Sequence, residues 1–187
     1  MMPRRGIAQV GLRNQASPPM RVARMEMDSH ADTCCAGSSA RVIEYTGLTA
    51  NVAPFSLEYS ELPDVPIVKA ATAYDHPITG KVYILVMAQA LWFGDRLENT
   101  LICPNQCRDN GVDVDERPRR YVSESSHSIY FRADDIRIEL TADGYLSYLR
   151  TRTPTNEELE SCKWLQLTED APWDPYSKDF ARQEEIA

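Results

Sequence analysis

Two long apolar segments dominate the hydrophobic pattern of this chain. Residues 65–74 and 81–91 consist largely of aliphatic side chains, and the six residues between them are mostly turn formers. Apolar runs of this length, separated by a short segment containing Asp, Pro and Gly, are the usual signal of two strands joined in a hairpin. The pattern therefore predicts a β-hairpin whose loop is residues 75–80.

Shorter segments on either side of this hairpin also have the character of strands. Residues 41–45 and 99–102 are short apolar or β-branched runs, and residues 136–140 alternate between aliphatic and charged side chains. Alternation with a period of two indicates a half-buried strand. Residues 141–144 then form a turn, after which residues 145–149 return along residues 136–140, so a second hairpin is predicted here.

Two short helices complete the predicted elements. Pro104 is suited to the first turn of a helix, which the pair Asn110-Gly111 would end. Thr155 and Glu158 have the spacing of a capping box, which predicts the start of a short helix near the C-terminal end of the sequence. The fold class predicted from these patterns is mainly β with a short C-terminal helix.

The same patterns divide the chain into four parts. Residues 1–24 are expected to be a flexible leader, residues 25–115 a β-domain, residues 116–152 a β-hairpin extension, and residues 153–187 a short helix with an acidic tail. The leader contains five arginines and no acidic residue, so it is the one part of the chain whose charge would suit nucleic acid.

Composition narrows the class of protein further. The 187 residues carry a net charge of −8, which argues against nucleic-acid binding by the rest of the chain, because such binding needs a basic surface. No apolar run approaches the length of about 18 residues that a membrane helix needs, and the first residues lack the apolar segment of a secretory signal, so export is not expected. The five cysteines are expected to be reduced thiols, so a cytoplasmic location is predicted.

The candidate chemistry lies in an acidic, hydroxyl-rich segment that follows a short apolar run. Its sequence is Asp28-Ser29-His30-Ala31-Asp32-Thr33. Aspartic peptidases hydrolyse amides with two carboxylates that share one proton, because two carboxylates at hydrogen-bond distance cannot both ionise. The sequence contains one such turn, so a pair of carboxylates would require a second subunit related by a two-fold axis.

This segment resembles the active-site turn of the retropepsins, Asp-(Ser/Thr)-Gly-Ala-Asp, as found in the polyproteins of LTR retrotransposons. Residues 98–111 are also similar to a segment that follows the peptidase core in copia-type polyproteins. The resemblance covers roughly residues 25–150. It implies a small β-barrel, a flap hairpin that would be the one at residues 75–80, and a later strand at residues 99–103. It also implies a homodimer that cleaves peptide bonds of a polyprotein without a cofactor or metal.

By this resemblance Asp28 would be the catalytic carboxylate and Ser29 its supporting hydroxyl. Asp32 would contact the backbone of the substrate, and His30 would lie beside it in the substrate-binding part of the turn. His30 occupies the position that is glycine in the family. Because a charged imidazole at this position would favour the ionised carboxylate over the shared proton, a second hypothesis is an inactive retroelement remnant that serves only as a protein-interaction domain.

Other interpretations of these residues remain open from the sequence. If residues 28–34 were extended, Asp28, His30, Asp32 and Cys34 would share one face and offer ligands for a transition metal. Cys34, Cys35, Cys103 and Cys107 could form a thiolate site, although their spacing matches no common zinc signature. Cys34 or Cys35 could also act as a nucleophile with His76 or His127.

Overall fold

A computed structural model describes residues 8–9, 16–54 and 56–180, the first pair by backbone alone. The fold is mainly β, with 46% strand and 9% helix, and a short helix lies near the C-terminal end. The strands are β1 Ala8–Gln9, β2 Val22–Met27, β3 Cys35–Gly37, β4 Arg41–Val52, β5 Leu62–Asp75, β6 Val82–Gly94, β7 Thr100–Ile102, β8 Asp113–Asp115, β9 Ser128–Phe131, β10 Ile136–Glu139, β11 Thr141–Asp143, β12 Leu146–Arg152 and β13 Lys163–Gln166. The helices are α1 Pro104–Asp109 and α2 Asn156–Ser161.

The central feature of the architecture is a circuit of six paired strands. Taken in order, β5, β12, β2, β7, β3 and β6 each pair with the next, and β6 pairs again with β5. Strand β4 extends this sheet from β5, β13 runs parallel to β6, and β11 pairs with β12. A separate sheet of β10, β9 and β8 packs its buried side chains into the same hydrophobic core.

The predicted hairpin of residues 65–74 and 81–91 is confirmed as β5 and β6, which pair antiparallel. Residues 84–88 of β6 are all buried, whereas a half-exposed strand would alternate. This continuous burial arises because both faces of β6 are packed: Leu85 and Met87 belong to the main core, whereas Ile84 and Val86 belong to a second cluster with α2. The uninterrupted apolar run in the sequence therefore reflects a strand enclosed on both faces.

The two predicted helix starts are also confirmed. Pro104 is the first residue of α1, and the Cys103 thiol accepts a hydrogen bond from the Gln106 amide at 3.4 Å. Thr155 and Glu158 form the capping box of α2, each side chain accepting from the backbone amide of the other. Both starts depend on contacts within four residues, which explains why the sequence was sufficient to locate them.

The predicted hairpin of residues 136–149 differs from the structure. Strand β10 pairs with β9, whereas the returning strand β12 pairs with β2, where Tyr148 lies opposite Glu26 and Arg152 opposite Val22. The turn at Gly144 joins β12 only to the three residues of β11. Strand β12 belongs to the predicted extension, residues 116–152, yet it lies in the same sheet as strands of residues 25–115. The pairing of β12 with β2 therefore crosses the boundary predicted between these two parts of the chain.

The outer parts of the chain are partly integrated into the fold. Residues 22–24, predicted to belong to the leader, form the first half of β2, and the Arg21 and Thr153 backbones are joined by a hydrogen bond of 3.0 Å. Residues 8–9 pair with Tyr45 and Glu44 of β4. The predicted flexibility of residues 1–7 and 10–15 lies outside the described residues, as do residues 181–187 of the predicted acidic tail.

Candidate functional site

The acidic segment forms a tight turn at the end of β2. The Asp28 amide donates to the Ile102 carbonyl at 2.9 Å, which continues the pairing of β2 with β7 by one residue. Beyond this point, Asp28 Oδ1 accepts hydrogen bonds from the amides of His30 at 3.0 Å and Ala31 at 3.3 Å. A carboxylate that accepts from the backbone two and three residues ahead stabilises a turn and fixes its own orientation.

Strand β7 lies between the two ends of this turn and is hydrogen-bonded to both. It runs parallel to β2, which enters the turn, and antiparallel to β3, which leaves it. The Thr100 hydroxyl accepts from the Gly37 amide at 3.1 Å, which adds a side-chain bond to the pairing with β3. Gly37 is required here, because a Cβ at this position would lie 2.6 Å from the Leu97 carbonyl oxygen. The turn is consequently held at both ends by one strand.

Helix α1 holds the outgoing end of the turn through one buried amide side chain. Gln106 accepts from the Cys34 amide at 2.8 Å and donates to the Gln89 carbonyl at 3.1 Å. Gln89 has a φ of 55° and lies at a bulge in β6, where the register with β5 shifts. Gln106 therefore connects α1 to β6, 17 residues away in sequence, and to the end of the acidic turn, 72 residues away.

The outer surface of the turn is open to solvent. Ser29 and His30 are exposed, and Asp28 is half-buried. Four non-glycine residues of the described chain have a positive φ, and His30 is not one of them. The turn therefore does not need the conformational freedom of glycine at this position. Within the described residues the Ser29 hydroxyl has no hydrogen bond to the Asp28 carboxylate.

Asp28 borders a cavity of about 370 Å³ that contains further carboxylates. Glu26, Glu116 and Tyr145 line it together with Asp28 and Ser29. Glu116 is paired with Arg108 at 2.6 Å, which compensates its charge. Asp28 and Ser29 of the acidic turn thus border an open cavity that also contains the carboxylates of Glu26 and Glu116.

Asp32 borders a second cavity, also of about 370 Å³, on the other side of the turn. Residues 50–53, at the tip end of β4, form one wall of it, and Trp173 and Tyr176 form another. The Asp32 backbone carbonyl accepts from Trp173 Nε1 at 2.8 Å, and its carboxylate accepts from the Tyr176 hydroxyl at 2.8 Å. This carboxylate hydrogen bond raises the pKa of Tyr176.

The hairpin next to the acidic turn is not the one expected from the sequence. The loop at residues 75–80, predicted to be the flap, borders a different cavity formed with β10, β11 and β12, and Asp75 pairs with Arg152 at 2.7 Å. The hairpin of β4 and β5 instead brings residues 50–53 beside Asp32. Of the two hairpins, the β4–β5 hairpin is therefore the one placed to cover the turn.

The cysteines near the turn are protonated thiols, buried at Cys34, Cys103 and Cys107 and half-buried at Cys35. A hydrogen bond with the Cys107 thiol and burial hold the pKa of Cys34 well above its ordinary value, and burial raises the pKa of Cys35 to about 12 and that of Cys103 to about 11. All five cysteines are unpaired. Thiols with raised pKa values are poor nucleophiles and poor metal ligands at neutral pH.

The structure is inconsistent with the predicted metal-binding face. Residues 28–33 form a turn, so Asp28, His30, Asp32 and Cys34 do not alternate along a strand. Cys34 is buried and its sulfur accepts from the Cys103 amide at 3.3 Å. Throughout residues 16–54 and 56–180, no group of three or more His, Cys, Asp or Glu side chains is arranged to hold a metal ion.

The two histidines considered as partners for a cysteine nucleophile have other contacts. His76 Nδ1 accepts from the amides of Ile78 and Thr79 within the β5–β6 loop. His127 Nε2 lies 2.7 Å from the Ser147 hydroxyl, and no local sequence signal predicts this buried pair. Ser147 donates its proton to the Glu116 carbonyl at 2.6 Å, so the imidazole acts as the donor to Ser147. That tautomer cannot activate a serine, and the pair connects β12 to the loop before β9.

A scan of protein-family models, a search of curated proteins and a search of solved structures each return no match for this chain. Among the described residues, no helix is sufficiently long and apolar to cross a membrane.

Proposed function

We propose that this chain is a retropepsin-like aspartic endopeptidase domain of retrotransposon origin, in which Asp28 from each of two subunits forms the catalytic pair. The observation that carries the proposal is the construction of the Asp28 turn. One strand, β7, lies between its two ends, and the turn amides of His30 and Ala31 orient the carboxylate. A rigidly oriented carboxylate on an exposed turn is what a shared carboxylate pair requires from each subunit.

The surrounding strands support the same proposal. The circuit of six paired strands around the turn is compatible with a small β-barrel. The order of elements also agrees with the family resemblance, since the Asp turn is followed by a strand, by hairpins, and then by β7 leading into α1. The assignment of the flap changes, because the β4–β5 hairpin lies beside Asp32.

The substrate would lie between the turn and the β4–β5 hairpin. Asp32 offers a backbone carbonyl and a carboxylate as acceptors on this side of the turn, and both accept hydrogen bonds in the structure. An extended peptide carries backbone amides that such acceptors bind. The substrate class that fits is an extended segment of a polyprotein.

His30 bears on the rate of catalysis more than on the fold. Its backbone φ does not require glycine, so the turn forms with the imidazole in place. The side chain is exposed on the surface through which two turns would have to approach one another. Replacing His30 with glycine should therefore bring the two Asp28 carboxylates closer and increase the rate of peptide hydrolysis.

Peptide hydrolysis by the parent chain and by Asp28→Asn tests the proposed chemistry. The substrate is a mixture of retrotransposon Gag-Pol peptides, assayed with and without pepstatin. We expect pepstatin-sensitive cleavage by the parent and His30→Gly chains and a loss of at least about 1,000-fold in Asp28→Asn, because a shared proton cannot form without the carboxylate. The matched control is Asp109→Asn, an exposed aspartate at the end of α1, which should cleave at the parental rate.

Sedimentation of the same proteins tests the dimer. A dimer in the parent chain, with Asp28 carboxylates at about 3–4 Å across the two-fold axis in a crystal, is expected from the requirement for hydrogen-bond contact. A monomer without cleavage in either the parent or His30→Gly would refute the enzyme and favour the second hypothesis, an inactive remnant that binds other proteins.

A further inference from the structure

The C-terminal part of the described chain follows a continuous path from the core to Asp32. Strand β13 runs parallel to β6, and beyond it the Thr168 hydroxyl donates to the Ala88 carbonyl at 2.5 Å. Asp170 accepts from Gln89 through its backbone carbonyl at 3.2 Å and from Lys69 through its carboxylate at 2.9 Å. These contacts anchor the chain at the β6 bulge, immediately before residues 171–180, which we call the C-terminal strap.

The C-terminal strap contacts the acidic turn at one residue. Trp173 donates to the backbone carbonyl of Asp32 and Tyr176 donates to its carboxylate, so both kinds of acceptor on Asp32 are occupied. Trp173 also packs edge-on against Phe180, with ring centroids 5.7 Å apart. The strap and residues 50–53 enclose the cavity beside Asp32. It therefore lies where the proposed function places the substrate.

The contacts of the strap are also of a kind that can be released. Tyr176 is 81% exposed, and both hydrogen bonds to Asp32 are at the surface, where water competes for each partner. The anchor at Thr168 and Asp170 keeps the strap attached to the body and gives it a high effective concentration at Asp32. A weak contact made within one chain can thus compete with a peptide added from solution.

We propose that the C-terminal strap is a releasable, autoinhibitory segment that occupies the peptide-binding cleft at Asp32. This inference rests on the proposed function, because it identifies the cleft as the place where substrate binds. Substrate and strap then bind in a mutually exclusive manner, and the fraction of open cleft is set by the two hydrogen bonds to Asp32. Weakening these bonds opens the cleft without any change to the catalytic turn.

The test is carried out in the full chain with the double variant Trp173→Phe and Tyr176→Phe, which removes both donors and retains both rings. The probe is a fluorescein-labelled peptide with the natural sequence of residues 171–180, and its binding is followed by fluorescence anisotropy. We expect the double variant to bind this peptide at least about fivefold more tightly than the parent, because its own strap competes less well. Amide hydrogen exchange in residues 171–180 should also be faster in the double variant.

The matched control is the double variant Trp164→Phe and Tyr121→Phe, which makes the same two exchanges elsewhere on the surface and should bind the peptide as the parent does. We call the double variant Trp173→Phe and Tyr176→Phe the strap-weakened chain. Adding Asp32→Ala to it should remove most of its gain in affinity for the labelled peptide. Equal affinity of parent and strap-weakened chains, or no binding by the strap-weakened chain, would overturn the proposal.

The measurement of binding is independent of peptide cleavage. Because the two hydrogen bonds from the strap are accepted by Asp32 and not by Asp28, the peptide affinities should be unchanged when Asp28→Asn is added to each protein. If no protein cleaves peptides but the strap-weakened chain still binds the probe more tightly, the strap is established as the occupant of the cleft and the proposed enzymatic function fails. If cleavage is present, the strap-weakened chain should have a higher kcat/KM by the same factor as its gain in affinity.

Discussion

Replacing Gln106 with leucine should destabilise the whole fold, although this residue belongs to a helix of six residues. Gln106 is 2% exposed, and its side chain satisfies the Cys34 amide and the Gln89 carbonyl. Leucine has a similar volume but neither donates nor accepts hydrogen bonds. The substitution therefore leaves the buried Cys34 amide and the buried Gln89 carbonyl without a partner. Each such group costs about 1–3 kcal/mol, so the expected loss is about 3 kcal/mol in the free energy of unfolding.

Urea denaturation measures this loss directly. The transition would be followed by circular dichroism and by tryptophan fluorescence, with extrapolation of both to water. A loss of this size is a large fraction of the 5–15 kcal/mol that stabilise a typical domain, so the midpoint should move clearly. Amide exchange in residues 28–34 should increase as well, because Gln106 holds the outgoing end of the acidic turn.

A neighbouring substitution provides the control. Asn105→Ala alters an exposed side chain of the same helix whose oxygen accepts from Arg108, and it should change the free energy of unfolding by less than about 0.5 kcal/mol. If the free energy of unfolding of Gln106→Leu is also within about 0.5 kcal/mol of the parental value, the Gln106 side chain does not connect the turn to β6 in the way described.

Three further outcomes follow from local geometry. Gly37→Ala should lower the melting temperature by roughly 4–8 °C, corresponding to about 2 kcal/mol, because the new Cβ meets the Leu97 carbonyl; an unchanged melting curve would contradict the close approach. The Arg152 guanidinium lowers the pKa of Glu158 from 4.5 to about 2, so the ionised pair stabilises the fold above pH 4.5 and that stability is lost as the pH falls toward 2. Its contribution at pH 7 is on the order of 3 kcal/mol, and Glu158→Gln should reduce both the stability and its acid dependence in melts at pH 7 and pH 3. Burial raises the pKa of Cys35 to about 12, so mass spectrometry should find its alkylation at pH 8 at least about 100-fold slower than that of a free cysteine.

Local signals predicted the elements whose contacts are close in sequence. The β5–β6 hairpin and the capping box of Thr155 and Glu158 are confirmed, because a short loop or a four-residue motif determines each of them. The same holds for the start of α1 at Pro104. In these places the composition of about ten residues was sufficient to identify the structure.

Strand partners were less predictable, since they depend on the whole chain. Residues 136–140 and 145–149 have the spacing of a hairpin, yet β12 pairs with β2, which is more than 120 residues away in sequence. The loop at residues 75–80, predicted to be the flap, borders a different cavity for a related reason. The pairing of all strands in the sheet places each hairpin tip, and it brings residues 50–53 to the cavity beside Asp32.

At the candidate site, the sequence identified the turn but could not describe its supports. Asp28 and His30 are in the segment that residue types alone had indicated, and the tight turn explains why these types occur there. Gln106 and Tyr176 contact the turn from distant positions, and nothing in their local sequence indicates this role. The contact of the buried Gln106 side chain with the end of the acidic turn is recognised only when the fold is known.

The position of β7 between the two ends of the acidic turn has a consequence for the order of folding. Strand β2 ends at Met27, but its partner on one side begins at Thr100 and its partner on the other at Leu146. During synthesis from the N-terminal end, residues 28–33 leave the ribosome long before either partner exists. The local hydrogen bonds of the turn can form early, but the two strands that fix its position in the sheet are added only when residues 100–102 and 146–152 have been made, and contacts this distant in sequence also predict slow folding.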